Sequence, residues 1–225
     1  MIAAPHLRAA DYPGPGARET SGDSDRQGAQ AVVGLRFFLA VVSSLFFLLV
    51  VAWLMRAQYD DWEALSQPWQ PLASPWQLWL NTFALVSASI FLQIARQRAR
   101  VPAVDAARVK FATGLGGLCS VLFLAGQLWL WHNLNAAGFG VAANPANSFF
   151  YLITGLHGLH LFGGVLAWGR LQFSRTQTPA RLRLGTELCA IYWHYLLFIW
   201  LLVFGLLISP PATFAAIASF CGFSP

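Results

Sequence analysis

Charge is scarce in this sequence. Only 10% of its 225 residues are Asp, Glu, Lys or Arg, against about 25% in a soluble globular domain. So poor a supply cannot cover a water-facing surface, which excludes an ordinary soluble fold. Acids are scarcest, with nine Asp and Glu against fourteen Lys and Arg, and none of either sign lies near the middle of an apolar run. A proton relay across a membrane uses a carboxylate partway, so a proton pump or ion carrier working through this chain alone is disfavoured. Cysteine is also rare. Cys119, Cys189 and Cys221 are far apart and fit no CxxC or metal-ligand spacing, so they read as small buried side chains. The net charge of +5 does not indicate nucleic acid. The basic residues sit beside apolar runs, where they set topology and meet anionic lipid.

What the chain has in abundance is apolar and aromatic surface: 57% hydrophobic residues, with eighteen Phe and ten Trp. A membrane span needs roughly 20 apolar residues, and five runs qualify: Val33–Met55, Trp76–Ala95, Ala112–Trp131, Phe149–Leu171 and Leu188–Ile208. Backbone groups in hydrocarbon must pair within the segment, so each run predicts a helix. The expected fold is all-α, a polytopic membrane bundle of five transmembrane helices over residues 31–208. Residues 1–30 are polar and read as a disordered cytoplasmic tail. They contain no apolar core of the kind a cleaved signal peptide carries. Residues 209–225, after Pro210 and Pro211, read as a short apolar tail that cannot cross.

Loop charges orient the bundle. The second loop holds Arg96, Arg98, Arg100, Arg108 and Lys110, and the fourth holds Arg170, Arg175, Arg181 and Arg183. The third loop has neither Lys nor Arg. Basic loops stay in the cytoplasm, which predicts the N-terminus inside and the C-terminus outside. No internal repeat is visible, so a transporter built from two inverted halves is disfavoured.

Polar groups inside membranes are costly and are functional candidates. Those singled out are Gln127, His132, Thr154, His157, His160, Glu187 and His194. His157 and His160, three apart, share a helix face, and His160, Gly164 and Ala167 form a stripe against which a facing helix can pack. Glu187 and His194 are seven apart on one face. At a rise of about 1.5 Å per residue, His194 lies about 10 Å and His160 about 16 Å from the inner ends of their helices, so the two are expected to meet between helices four and five. Three roles are open to the histidines: metal ligation, structural hydrogen bonding between helices, and proton buffering toward a partner subunit. Two His at i, i+3 cannot grip opposite faces of one haem, and a copper site would need a third donor nearby. Structural bonding is therefore favoured, with no catalytic or metal residue expected. Gln127 reads as helix–helix glue, and Trp129 and Trp131 as interface belt residues.

These residues carry a family resemblance. SFFYLITGLHGLHLFGG closely resembles the FF-x-L-TG-x-HGLHV-x-GG stretch of the haem–copper oxidase subunit III family. IYWHYLLFIWLLVF resembles its last helix, marked by YWHF. GQLWLW with NPANSFFY, and LWLNTFALVSASIFLQIARQRAR, are similar to its preceding helix and loop and to its LWLNT helix. The likeness spans about residues 33–208 and fits the five-helix form.

The resemblance implies an accessory, cofactor-free subunit III of a bacterial cytochrome c oxidase. Such a subunit lies in the plasma (inner) membrane beside catalytic subunit I, with subunit II in the complex. Haem and copper reside in those partners. The complex reduces oxygen and pumps protons, and subunit III supports its assembly, stability and proton uptake and binds phospholipid. The alternatives are subunit III of a quinol oxidase and an accessory subunit of a nitric oxide reductase system. Arg56, Gln127, His157, His160, Glu187 and His194 match the pattern and carry over as lipid-binding or interhelical polar positions. Arg56, in an outer loop, is expected to face a lipid headgroup or a carboxylate among Asp60, Asp61 and Glu63. Many members carry a Glu where Ser43 stands, and an Asp where Leu197 stands. Roles resting on those acids are not carried over.

Overall fold

The computed structural model describes residues 15–59, 62, 75–101, 104–174, 178–209 and 213. The described residues form five helices: α1 Pro15–Arg56, α2 Trp76–Ala99, α3 Ala106–Ala136, α4 Pro145–Phe173 and α5 Pro179–Ile208. Each contains a stretch long and apolar enough to cross a membrane. The chain divides into two units, residues 1–38 and 39–225. The first contributes the opening turns of α1, and the second holds the bundle described below.

The helices outrun the apolar stretches because polar caps, not the ends of hydrophobicity, set their limits. Asp105 accepts from the Ala107 and Arg108 amides, Asn144 from that of Ala146 and Thr178 from that of Arg181. Each satisfies amides that a helix start leaves unpaired. Pro145 and Pro179 occupy the first turns of α4 and α5, where the missing N–H costs nothing. At the other end, α1 begins at Pro15, so residues 15–30 are helical rather than part of a disordered tail. Once a span has nucleated a helix, each further residue adds a bond without paying the nucleation cost again. Residues 1–14 and most of the 209–225 tail, including Cys221, lie outside the described residues.

Successive helices run in opposite directions. The C-terminus of α2, the N-terminus of α3, the C-terminus of α4 and the N-terminus of α5 share one basic end, carrying Arg96, Arg98, Arg100, Arg108, Lys110, Arg170, Arg181 and Arg183. The core is unusually aromatic. Trp53, Trp193, Trp200, Phe123 and Phe150 are almost wholly buried with Leu78, Leu85, Leu92, Leu161 and Leu196. Outward faces carry Phe47, Phe83, Phe111, Leu128, Leu159, Phe162 and Phe198, all exposed, as lipid contact requires.

Two glycines bring helices close. A Cβ at Gly164 of α4 would come within 2.6 Å of the Tyr192 ring and 3.1 Å of the Trp193 ring of α5. A Cβ at Gly117 of α3 would collide with the Trp168 indole of α4. The stripe expected on α4 therefore receives α5 at Gly164.

Candidate functional site

The sequence Tyr192-Trp193-His194-Tyr195 lies midway along α5. Consecutive helical residues step by about 100°, so four of them point almost all the way around the axis. Each finds a different helix. The Tyr192 hydroxyl donates to the His160 carbonyl of α4 at 2.8 Å. Trp193 Nε1 donates to Ser120 Oγ of α3 at 2.6 Å. His194 Nδ1 shares a 2.6 Å hydrogen bond with Ser89 Oγ of α2. The Tyr195 hydroxyl lies 2.9 Å from Ser43 Oγ of α1. One turn of α5 thus ties it to all four other helices.

The hydroxyls that receive these bonds work in a repeated way. Ser43, Ser120 and Thr82 each donate their single proton to the carbonyl one turn earlier, that of Leu39, Gly116 and Leu78 respectively. Such back-bonding is how Ser and Thr hide in an apolar helix. It leaves only lone pairs facing outward, so the partner must be a donor. Tyr195 therefore donates to Ser43. Trp193 donates to Ser120, and Trp200 Nε1 to Thr82 at 2.9 Å.

Further ties flank this turn. At the basic end, Glu187 Oε1 accepts from Arg96 of α2 and from Arg100 at its C-cap, both at 2.9 Å. Arg183 donates to the Ala99 and Val101 carbonyls, and Lys110 to that of Ser174, which satisfies helix C-termini. Trp168 Nε1 donates to the Thr113 carbonyl, tying α4 to α3. Toward the other end, Asn81 Nδ2 of α2 donates to Gln127 Oε1 of α3 at 3.2 Å.

The six residues carried over from the resemblance are not one cluster. Gln127 joins α2 to α3 through Asn81, and Glu187 joins α5 to α2. His194 turns toward α2; the bond from this level of α5 to α4 is made by Tyr192 instead, to the backbone of His160. His160 Nδ1 lies 2.8 Å from the Leu156 carbonyl of its own helix, and its ring packs 5.8 Å from that of Phe46. Arg56 lies over the Tyr59 ring at 5.1 Å; the acids proposed for it, Asp60, Asp61 and Glu63, lie outside the described residues.

For His157 the expected role is corrected. It is completely buried, and neither ring nitrogen has a hydrogen-bond partner among the described residues. Its neighbours are rings from three helices: Phe46 of α1 at 6.4 Å, Phe123 of α3 at 5.8 Å and Trp200 of α5 at 5.2 Å. Among the described residues it joins helices as an aromatic plate rather than as a hydrogen-bonder, because the neighbours its face of α4 meets there are rings. Among the described residues no group of three or more His, Cys, Asp or Glu is placed to hold a metal ion.

Reading the sequence missed the partner side of this network: Asn81, Thr82, Ser89 and Ser120, together with the inward-pointing Trp193 and Trp200. The signal was present as hydroxyls in the middle of apolar spans and tryptophans far from either interface.

The fold and this turn of α5 define a multi-pass helical membrane protein whose polar side chains bind helix to helix. A family model described as cytochrome c oxidase subunit III matches residues 19–208, and the chain belongs to that family, a component of the oxidase complex. Cytochrome c oxidase subunit 3 of Thermostichus vulcanus is 29% identical over 180 residues, 78% of this chain and 85% of that protein. The Synechocystis sp. protein of the same name is 29% identical over 180 residues, 76% of this chain and 72% of its own length. A probable cytochrome c oxidase subunit 3 of Mycobacterium tuberculosis is 31% identical over 94 residues, 39% of this chain and 44% of that protein.

Proposed function

We propose that this chain is an accessory subunit of a bacterial cytochrome c oxidase. In this reading it lies in the plasma membrane with its N-terminus inside and carries no redox centre of its own. It braces the haem- and copper-bearing subunits I and II, supports proton uptake by subunit I and holds phospholipid. The observation that carries the reading is the turn Tyr192–Tyr195. Its polar side chains are spent on binding α5 to the other four helices, as suits a scaffold. Ser43 and Leu197 stand where the family resemblance leads one to expect carboxylates in many members, so in this reading any help with proton uptake runs through the partner's groups.

Affinity purification of the tagged chain from native membranes tests this. The expected result is a stoichiometric haem-containing partner with cytochrome c oxidase activity, while the chain expressed alone shows no haem absorption. Loss of the chain is expected to reduce assembled oxidase without changing the haem spectrum of what remains. A purified complex without haem would overturn the reading, and one that oxidises quinol but not cytochrome c would move it to a quinol oxidase.

A further inference from the structure

The outward surface of the described spans is mostly apolar, interrupted by few polar side chains. Between α2 and α5, toward the basic end, lies a groove of about 400 Å³ lined by Val86, Ser89, Ile90, Gln93, Ile94, Gln97, His194 and Leu197. Ser89, Gln93 and Gln97 recur every fourth residue, so they form a polar ladder about 12 Å long on one face of α2. His194 faces it from α5, about 10 Å inside Glu187, and its ring is exposed.

The hydrogen bonds fix what the groove offers. Ser89, unlike Ser43 and Ser120, shows no back-bond to its own helix and instead shares its 2.6 Å hydrogen bond with His194 Nδ1, whose direction follows the imidazole tautomer. We assign the otherwise unused Ser89 proton to this bond, which puts the imidazole proton on Nε2. Gln93 Oε1 is buried and accepts from nothing among the described residues. The groove therefore presents a donor at His194 and an acceptor at Gln93, both set in hydrocarbon. There an unmatched polar group is costly.

We propose that this α2–α5 groove is where a transmembrane helix of another oxidase subunit docks. That helix carries a hydroxyl, amide or carboxyl side chain that pairs with His194 Nε2 and Gln93 Oε1 about two turns inside the basic end. The proposal rests on the accessory-subunit reading above and names its contact face. A helix is favoured over a lipid tail because a tail can satisfy neither group, and because the chain belongs to a family that functions in a multi-subunit complex. The short Leu197 side chain and the apolar Val86, Ile90 and Ile94 supply the packing surface around the polar pair.

The test is photocrosslinking in the intact complex in native membranes. A benzophenone amino acid replaces Ile90, in the groove, or Phe162, on the exposed apolar face of α4. The expected result is an adduct from position 90 to a transmembrane peptide of a co-purifying haem-bearing subunit, identified by mass spectrometry, and lipid adducts alone from position 162. Adducts from position 90 only to lipid, or only to a second copy of this chain, would overturn the proposal. So would no adduct at 90 when 162 reacts. In parallel, Gln93→Leu removes an oxygen that no described residue of the chain uses. It is expected to lower recovery of the haem partner about threefold, the size of one polar interhelical bond, with unchanged expression and thermal stability of the chain itself. Unchanged recovery counts against the pairing. A complex that purifies with haem but crosslinks from position 162 refutes this face and leaves the accessory role standing; a preparation without haem refutes the role.

Discussion

Which partner of a buried hydrogen bond is removed matters more than the bond itself, because only an orphaned group bears the full desolvation cost. The hydroxyls of this bundle make the asymmetry testable. Thr82→Val keeps the side-chain shape but strands the Trp200 indole N–H, which is fully buried. The expected loss is about 1–3 kcal/mol. Tyr195→Phe removes a donor and leaves Ser43 still bonded to Leu39, so the loss is expected near 0.6 kcal/mol, an average polar bond between membrane helices. Thermal unfolding of the purified complex ranks the two; equal losses would refute the assignment of donors. His157→Leu conserves volume and breaks no hydrogen bond, so it should cost less than about 1.5 kcal/mol. A larger loss would mean that the imidazole nitrogens are engaged. None of this was readable from residue type alone. His157 and His160 look alike in the sequence, three positions apart. Only the packing of α1, α3 and α5 gives one a box of rings and the other a contact with its own backbone. A sequence reports which groups need partners, not which helix supplies them.

At the scale of elements, the contact of α4 with α5 depends on a missing side chain. Gly164 faces Tyr192 and Trp193, rings already held by hydrogen bonds to His160 and Ser120, so neither can move aside cheaply. Gly164→Ala is expected to cost about 1–3 kcal/mol by overpacking. Gly163→Ala, where an added Cβ meets nothing within 4 Å, should be neutral or slightly stabilising through helix propensity. The melting temperatures of the two variants decide it, and equal behaviour would remove Gly164 from the interface. The stripe on α4 was legible because small residues at helical spacing signal close approach wherever the partner lies. The helix ends were less so. Hydropathy locates spans by their apolar middles, whereas α3, α4 and α5 start at the caps Asp105, Asn144 and Thr178, well outside the apolar runs.

For the whole molecule, orientation is a matter of charge, and the bundle arranges its charge with unusual clarity. Four helix ends converge on one basic end, where Arg96 and Arg100 hold Glu187 and Arg183 and Lys110 cap carbonyls. These contacts do not set the topology. Exposed ion pairs contribute about 0–1 kcal/mol, whereas each Lys or Arg that must enter the hydrocarbon costs about 2.5–3.5 kcal/mol on insertion scales. The loop-charge rule reads topology from the number of cations on one side. The loop between α3 and α4, residues 137–144, has neither Lys nor Arg, so the rule predicts that this side translocates. An alkaline phosphatase reporter fused within 137–144 should therefore be active, and one fused after Val101, in the basic loop, inactive. Glu187→Gln should leave that pattern intact and change the melting temperature only slightly, by an amount that shrinks in high salt as the arginines are screened. Replacing Arg96, Arg98 and Arg100 together by Gln attacks the count itself and should yield mixed topology at both reporters. If the triple change left both reporters unmoved, the loop-charge account of the orientation would be wrong, and the direction of insertion would have to be dictated by α1.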